Sequence, residues 1–395
     1  MNYTMPKHIG DYNKNQMLSI LRERGATSRV ELSRLLGISP AAISRSTSRL
    51  LGKGIIRECD AEFSDMGRKP IPVELCGDFC YVLGADLVGG TLKIALADLL
   101  GKIVKYHEEP ILRENGAHAI MGQLLSALRK VIGDSGVPVE KIWVATIGTP
   151  GVFNAETGKS KHTFFLDKWD DIDIRSWVFE ALSIETLIEN DVNLDVMGES
   201  WKGVGRDYDN ILYVKLGQGL ASRVVIDGVL LRGEHNMAGE IGYMLPGAPY
   251  LQQDSLMEDP DENRPENYEH MLNNAAISRQ YQDLTEEYST RTISDICVLA
   301  NNGNEAARSV INRLLEQFAV VLLNSAAVLD PQVIILGGDA CSFGIKEIEI
   351  LKGMIEEHFP LVQNIISSRL NKQACVYGAI KVGLDRVEKR ITDSW

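Results

Sequence analysis

Apolar side chains recur at helical spacing along the first part of the chain. In the first predicted helix, residues 13–24, the regularly spaced apolar positions are Met17, Leu18, Ile20 and Leu21. A second helix opens at Ser28, whose hydroxyl can cap the first turn while Glu31 reaches back to the cap, and it ends at Gly37. Its expected buried residues are Val30, Leu32, Leu35 and Leu36. This pattern predicts two short amphipathic helices.

A third helix and a hairpin follow these two helices. Ser39 supplies a cap and Pro40 a first helical residue whose missing N–H needs no partner, so the helix is expected to run to Leu51. Its inner face should contain Ile43, Leu50 and Leu51. The stretch 54–75, with Gly67-Arg68-Lys69-Pro70 at its tip, predicts a two-stranded wing. This order is typical of a winged helix-turn-helix, in which the third helix reads DNA.

The third helix and the wing provide the candidate DNA contacts. Small residues at the start of the helix allow it to approach the groove floor, Arg45 can reach a guanine edge or a phosphate, and hydroxyl groups suit phosphate oxygens. The narrow, doubly charged wing tip suits a minor groove. The predicted DNA-binding residues are Ser39, Ala41, Ala42, Ser44, Arg45, Thr47, Arg49, Arg68 and Lys69.

Charge separates this module from the rest of the chain. Residues 1–57 carry a net charge of +7 and the whole 395-residue chain carries −13, so residues 58–395 carry −20. Only the N-terminal module therefore suits a phosphate backbone. The six cysteines have no paired metal-ligand spacing, and no apolar run is long enough to span a bilayer. We expect a cytoplasmic protein with reduced thiols and no membrane association.

The remaining sequence predicts an α/β body that contains an internal duplication. Residues 81–107 show a strand, a glycine turn, a second strand, a short turn and a third strand, and residues 211–231 repeat this plan. The clearest helices cover 123–132 and 305–328, and the second of them precedes an apolar strand that ends at Gly337-Gly338. The polar stretch 248–270 predicts a long loop.

Six motifs in a fixed order give the chain a specific resemblance along nearly its whole length. They are Gly67-Arg68-Lys69-Pro70, the turn from Asp86 to Thr91 closing at Asp98, Thr149-Pro150-Gly151, Glu189 to Asn193, Ala238 to Gly242, and Leu336-Gly337-Gly338. The chain resembles the repressor branch of the ROK family of repressors and sugar kinases, which includes xylose and N-acetylglucosamine repressors. The resemblance implies a winged helix-turn-helix over 1–75 and an actin-like, hexokinase-like body. Its α/β lobes would cover 76–195 and 196–395, with the C-terminal helix returning to the first lobe.

Both phosphate-binding turns of the family's kinases are altered in this chain. The first turn has Val88 where the kinases have a glycine and Gly90 where they have a threonine. In the second turn, residues 217–223, Gln218, Ala221 and Arg223 replace a threonine and two glycines. Arg223 would either project towards the former phosphate path or turn away in the strand. We therefore expect no catalytic residue, no cofactor and no enzymatic activity.

The resemblance also implies a polar pocket that persists despite these changes. Asp191 matches the kinase general base, Glu269 matches a sugar-contacting glutamate, and Tyr243 replaces a histidine that binds zinc and touches sugar in relatives. The zinc-binding cysteines of those relatives are missing, so no metal is expected. Phe164 and Phe165 could stack on a sugar or close the pocket. The predicted effector-binding residues are Asn190, Asp191, Glu240, Tyr243 and Glu269, groups that suit polyols.

These observations predict a homodimeric, or higher homo-oligomeric, repressor of sugar metabolism or transport genes. Two DNA-binding modules spaced one helical turn apart would engage a pseudo-palindromic operator. A carbohydrate or sugar phosphate held between the lobes would change their closure and so the spacing of those modules. One alternative is a ROK sugar kinase with an appended DNA-binding module, which the two altered turns oppose. Another is a regulator released by a protein partner, for which the sequence gives no positive signal.

Overall fold

The computed structural model describes most of the chain. The described residues are 16–59, 63–64, 67–68, 71–112, 116–154, 159–161, 169, 172–247, 267–360 and 364–393. The chain divides into two compact units: the first joins Met1–Glu189 to Ala379–Trp395, and the second is Asn190–Gly378. Each unit contains a five-stranded sheet and a buried apolar core.

The first unit begins with a small domain of three helices and short strands, which we call the reader domain (residues 16–75). Its elements are α1 (16–24), β1 (Thr27–Ser28), α2 (Arg29–Leu36), α3 (Pro40–Gly52), β2 (Ile56–Glu58), β3 (Phe63–Ser64), β4 (Gly67–Arg68) and β5 (Pro72–Leu75). Strand β5 pairs antiparallel with both β1 and β2, and β3 pairs with β4. The predicted wing is therefore present, together with a third strand, β1, that the sequence pattern did not indicate.

Local hydrogen bonds fix the ends of α2 and α3 where the sequence predicts them. Ser28 Oγ accepts from the Glu31 amide at 3.2 Å, and Ser39 Oγ accepts from the Ala42 amide at 3.4 Å. Gly37 ends α2 with a φ of 65°, which a residue with a Cβ adopts only at a cost. These caps confirm the predicted boundaries because each one depends on residues that are close in sequence.

The buried face of the reader domain is smaller than predicted: Leu35, Leu36 and Leu51 are only partly buried, and one residue of α2 points to solvent. Leu32 is fully buried, whereas the side chain of Val30 is 66% exposed. Residues two positions apart in an α-helix differ by about 200° around its axis, so Val30 points away from the face that carries Leu32. The expectation that Val30 is buried was wrong for this reason. The buried apolar residues of α1 and α3 are Met17, Leu18, Leu21, Ile43 and Leu50.

The rest of the first unit is an α/β lobe. Its sheet contains β6 (Tyr81–Asp86), β7 (Thr91–Asp98), β8 (Ile103–Pro110), β9 (Ile142–Thr149) and β12 (Glu185–Asn190), in the order β12-β9-β6-β7-β8. A hairpin of β10 (Val152–Asn154) and β11 (Lys159–Lys161) is separate from this sheet. The lobe's helices include α4 (Gly116–Ser135) and α5 (Ile174–Leu182). Helix α4 packs on the sheet through apolar residues at helical spacing, which include Ile120, Leu124, Leu128 and Val131.

The second unit has a sheet with the same plan. Its strands are β13 (Ile211–Leu216), β14 (Leu220–Ile226), β15 (Val229–Leu230), β16 (Val333–Gly338) and β17 (Ile365–Ser367), in the order β15-β14-β13-β16-β17. Its helices are α6 (Asp191–Lys202), α7 (Tyr268–Met271), α8 (Asn274–Thr285), α9 (Ile293–Asn301), α10 (Glu305–Leu329) and α11 (Ile345–Glu356). In each unit the first three strands of the sheet are antiparallel and the fourth pairs parallel with the first. The predicted internal duplication is confirmed.

The body contains a short helix inside the predicted loop and a last helix that belongs to both units. The predicted loop over 248–270 is interrupted by helix α7, which Asn267 caps by accepting from the His270 amide at 3.1 Å; residues 248–266 lie outside the described part. The last helix, α12 (Ala374–Asp393), begins in the second unit and continues into the first. In the described part of the chain, no helix is long and apolar enough to cross a membrane. The six cysteines all lie in the described part, and none of them forms a disulfide bond.

Candidate DNA-binding surface and effector site

Helix α3 presents most of the predicted DNA-binding residues on its open side. Ser39, Ala41, Ser44, Arg45 and Arg49 are exposed. Ala42 is partly exposed, and the Ser39 hydroxyl also caps the helix. The exposed face therefore combines small residues near the helix start with two guanidinium groups further along. This is the arrangement that a helix needs to enter a major groove.

Thr47 is a correction to the predicted DNA-binding set, because its side chain is fully buried. Its hydroxyl donates to the Ile43 carbonyl at 2.9 Å and accepts from Arg29 Nε at 3.2 Å. The same Arg29 donates to Glu58 Oε1 at 2.7 Å, so one guanidinium connects α2, α3 and strand β2. The sequence held a signal for this position: Thr47 follows the buried Ile43 by four residues, which places both on one helix face.

The wing residues are described only in part. Arg68 ends strand β4, whose partner is β3, and Lys69 lies outside the described residues. Across the base of the wing, Arg57 on β2 bonds Glu74 on β5 at 2.7 Å. The DNA contacts predicted for Arg68 and Lys69 stay predictions.

The acidic residue of the first altered phosphate turn, Asp86, forms an ion pair with Lys93. Asp86 Oδ2 lies 2.8 Å from Lys93 Nζ, and Asp86 Oδ1 accepts from the Val88 amide at 3.0 Å. Both charged side chains are buried. Gly89 and Gly90 form the turn itself with φ values of 77° and 83°. The turn is thus preserved as a backbone shape, while its carboxylate is occupied by protein groups.

A three-residue ion cluster lies at the start of α6 in the second unit. Lys215 Nζ contacts Asp191 Oδ2 at 2.9 Å and Asp195 Oδ2 at 2.6 Å. The two aspartates are four residues apart in α6, so they share one helix face, and Lys215 reaches them from strand β13. Sequence reasoning missed Asp195 and Lys215, although the spacing of the aspartates was a usable signal. Asp191 is therefore an ion-paired anion in this site.

Arg223 connects the remaining polar groups of the site. Its side chain is 3% exposed, and its Nε donates to Asn193 Oδ1 at 2.6 Å. Nη2 lies 3.2 Å from Asn190 Oδ1 and 2.8 Å from Glu240 Oε1. Asn190 Oδ1 also caps α6 by accepting from the amides of Val192 and Asn193. The Arg223 guanidinium is therefore directed at two predicted effector residues, Asn190 and Glu240.

Glu269 of helix α7 lies against the turn between strands β13 and β14. Its carboxylate lies beside Gly219, where an added Cβ would stand 3.0 Å from Glu269 Oε1. Gly242 fits between the Leu220 carbonyl and the Glu269 side chain, where a Cβ would collide with the carbonyl. Tyr243, the next residue, is 47% exposed. The structure thus places Asn190, Asp191, Glu240 and Glu269 around β13 and β14 in the second unit, while Phe164 and Phe165 lie outside the described residues.

Neutral groups line the inner side of the ion cluster. Burial raises the pKa of Tyr213 well above its usual value, and the nearby Asp195 charge raises it further. Burial also raises the pKa of the Cys341 thiol to about 12, with the charges of Glu199 and Asp195 acting in the same direction. Both groups are therefore protonated near neutral pH. Among the described residues, no three His, Cys, Asp or Glu side chains group together to hold a metal ion.

These features define a class of protein: a winged helix-turn-helix domain followed by a duplicated, kinase-like α/β body whose acidic residues are paired with basic side chains. Residues 82–382 match the ROK family, and the chain belongs to that family. Residues 11–57 match a winged helix-turn-helix DNA-binding family.

Known proteins resemble the chain along most or all of its length. A xylose repressor of Caldicellulosiruptor bescii is 25% identical over 391 residues, which cover 96% of each chain. A glucokinase of Halalkalibacterium halodurans is 26% identical over 294 residues, covering 71% of this chain and 85% of the kinase. Among solved structures, a ROK family transcriptional regulator described as a homologue of the Escherichia coli Mlc protein has a TM-score of 0.79 at 22% identity, covering 98% of this chain and 99% of its own. That likeness supports the complete fold, reader domain included.

Proposed function

We propose that this protein is a sugar-responsive transcriptional repressor that binds operator DNA through its reader domain. The observation that carries the proposal is the open, basic face of α3 in a winged helix-turn-helix attached to a ROK body. Arg45 and Arg49 lie on that face, and the N-terminal 57 residues hold a charge of +7 on a chain that is otherwise acidic. The similarity to a xylose repressor along 96% of both chains favours the same role.

The effector in this proposal is a carbohydrate, and the second unit binds it. Asp191, Glu240 and Glu269 offer carboxylate oxygens that suit vicinal hydroxyls, and Asn190 and Asn193 add amide groups. Arg223 holds three of these side chains in fixed positions. Groups that are positioned before the ligand arrives lose less entropy on binding, which favours a selective sensor.

The ion pairs also favour binding without phosphoryl transfer. A general base must lie within hydrogen-bond reach of the sugar hydroxyl, and a carboxylate oxygen that already contacts an ammonium group is occupied by that contact. Asp191 is held by Lys215 in this way, and Asp86 is held by Lys93. Arg223 also stands where the kinases' second phosphate turn has a glycine. The glucokinase relative keeps a kinase with an added DNA-binding domain as the second candidate.

A DNA-selection experiment tests the repressor proposal directly. The full chain is expected to enrich duplexes with two related half-sites from a random pool, because a dimer presents two reader domains. Binding should weaken steeply with salt, as it does for proteins that neutralise phosphates. A variant that lacks residues 1–75 should lose all affinity for the selected duplex. Unchanged affinity of that variant would show that the reader domain does not bind the DNA.

A thermal-shift screen tests the effector site. D-Xylose, D-glucose, N-acetylglucosamine and their phosphates are added to the full chain, and a bound sugar should raise the unfolding temperature with its concentration. Asp191→Asn should weaken the response by about 1.5–3 kcal/mol, the range for hydrogen bonds to charged groups. Asp283→Asn, at an exposed position of α8, is the matched control. If Asp191→Asn and Glu240→Gln both leave the dose response unaltered, the sugar binds elsewhere.

A further inference from the structure

Helix α12 contributes residues to both units. Its first five residues, 374–378, belong to the second unit, and residues 379–393 belong to the first. The backbone hydrogen bonds of a helix link each turn to the next, so α12 is one continuous element from residue 374 to residue 393.

The start of α12 packs backbone to backbone against α6, the helix that begins with the effector residues. A Cβ at Gly378 would overlap the Leu194 carbonyl of α6, and a Cβ at Gly198 of α6 would overlap the Ala374 carbonyl. Such contacts leave no compressible side chains between the two helices. Helix α6 starts at Asp191 and is capped by Asn190, so a movement of these residues is transmitted to α12.

The far part of α12 is bound to the reader domain by a buried ion pair. Arg22 of α1 contacts Glu388 of α12, and the two side chains are 4% and 8% exposed. Arg22 Nε also donates to the Leu99 carbonyl of the first lobe at 2.9 Å. One guanidinium thus joins the reader domain, the first lobe and α12. Burial raises the pKa of Glu388 above its usual value, while Arg22 acts in the opposite direction.

Stability alone does not explain a buried ion pair at this junction. Removing two charges from water costs about as much as their attraction returns, so an apolar contact of the same size would hold the domain at least as firmly. An ion pair differs in that each buried charge is strongly destabilised when its partner is removed, so the two side chains must stay together. Within the described part of the chain, Arg22 Nη2 and Glu388 Oε1 are also buried without a hydrogen-bond partner beyond the ion pair itself, which is a further cost of this arrangement.

We propose that Arg22 and Glu388 are positioning residues that fix the orientation of the reader domain on helix α12. The orientation of each reader domain on α12 then sets the spacing of the two reader domains of a dimer. This inference rests on the proposed function. It assigns a role in operator selection to two residues that lie outside both the DNA-binding face and the effector site.

The test compares two duplexes: the one selected by the full chain, and one with its half-sites moved apart by about 5 bp, half a helical turn. The wild-type chain should prefer the first duplex by at least about tenfold, since misplaced half-sites cannot both be engaged. In Glu388→Gln this preference should fall to about threefold or less, while affinity for a single half-site stays unchanged. Glu74→Gln, which removes the exposed Arg57 pair within the reader domain, should keep the full preference.

Exchanging the charges of Arg22 and Glu388 distinguishes a positioning role from a general loss of stability. The double variant Arg22→Glu with Glu388→Arg keeps the ion pair but loses the Leu99 hydrogen bond, so it should recover part of the spacing preference and of the slow amide exchange in α1. Glu388→Gln alone should speed that exchange. If Glu388→Gln unfolds the protein, Glu388→Asp keeps the charge and should show the same changes to a smaller degree. A folded Glu388→Gln variant with wild-type spacing preference and wild-type exchange in α1 overturns the proposal. If no duplex is selected, the proposed function fails, and the exchange measurement still tests the junction.

Discussion

Lys215 contacts two buried aspartates at once, Asp191 at 2.9 Å and Asp195 at 2.6 Å. At the residue scale, the site of this protein is defined by such pairings. Arg223 pairs with Glu240 in the second unit, and Lys93 pairs with Asp86 in the first. Each basic side chain lies against a carboxylate, so the acidic groups of these pairs have basic partners within the protein.

Lys215→Met should strongly destabilise the second unit. Two buried carboxylates then share one helix face without a cation, and we expect a loss of about 3 kcal/mol, the lower end of the range for removing one partner of a buried pair. Denaturant unfolding measures the change. The additional substitution Asp195→Ala should recover most of the loss because one of the unpaired charges is removed. Lys346→Met, at an exposed position of α11, should have little effect, and an equal loss in that control would refute the role of the cluster.

At the element scale, helix α3 has two different faces. Arg45 is exposed on the face that we propose binds DNA, and Thr47 is buried against Arg29. The same helix therefore presents one face to solvent and packs through the other. Helix α12 has a similar division along its length, with a glycine contact to α6 at its start and an ion pair to α1 near its end.

Substitutions on the two faces of α3 should have different effects. Arg45→Ala should weaken binding to the selected duplex by about 1–3 kcal/mol and relax preference at one base pair, without a change in unfolding. Thr47→Val keeps the shape but leaves Arg29 Nε without its acceptor, so it should lower the stability of the reader domain by about 1–2 kcal/mol. Fluorescence anisotropy and thermal unfolding measure the two effects. A loss of DNA affinity with unchanged unfolding in Thr47→Val would return that residue to the DNA-binding set.

Two helical glycines provide a matched pair for the α6–α12 contact. Gly378→Ala places a Cβ onto the Leu194 carbonyl, so the helices must separate, and we expect a loss of about 1–3 kcal/mol, as for an overpacked core. Gly353→Ala in α11 meets nothing within 4 Å and should stabilise that helix by up to about 1 kcal/mol. Thermal unfolding of the full chain measures both. Similar effects of the two substitutions would mean that the helices tolerate a wider separation.

At the scale of the whole molecule, a basic DNA-binding domain precedes an acidic body of two related units. The charge of +7 on residues 1–57 draws this part to DNA, and the −20 on the remainder keeps the body away from the phosphate backbone. Helix α12 contributes to both units and carries the residue that binds α1. This organisation suits a regulator whose output is the placement of its DNA-binding domains.

The full chain should not turn over ATP with D-xylose, D-glucose or N-acetylglucosamine. Both phosphate turns are altered and Asp191 is ion-paired, so we expect a rate at least about 10⁴-fold below that of a ROK glucokinase assayed in parallel. Coupled measurement of ADP release is sensitive enough for this comparison. Multiple turnovers with any of these sugars would favour the kinase alternative.

The sequence by itself determined the features that depend on neighbouring residues. The caps at Ser28, Gly37 and Ser39, the repeated three-strand pattern of the two units, and the charge difference between the reader domain and the body are all readable in this way. A cap needs an oxygen within three residues of an amide, and a strand needs only alternation or a short apolar run, so local order is sufficient.

Only the tertiary structure decided which distant groups meet. The Thr47 hydroxyl has a hydrogen-bond donor because Arg29 reaches it from another helix, and Asp191 is ion-paired because Lys215 reaches it from a separate strand. Arg22 and Glu388 stand near opposite ends of the chain and still form one buried pair. The chemistry of a charged side chain depends on its partner and its access to water, and both are set by packing between elements that the sequence pattern does not specify.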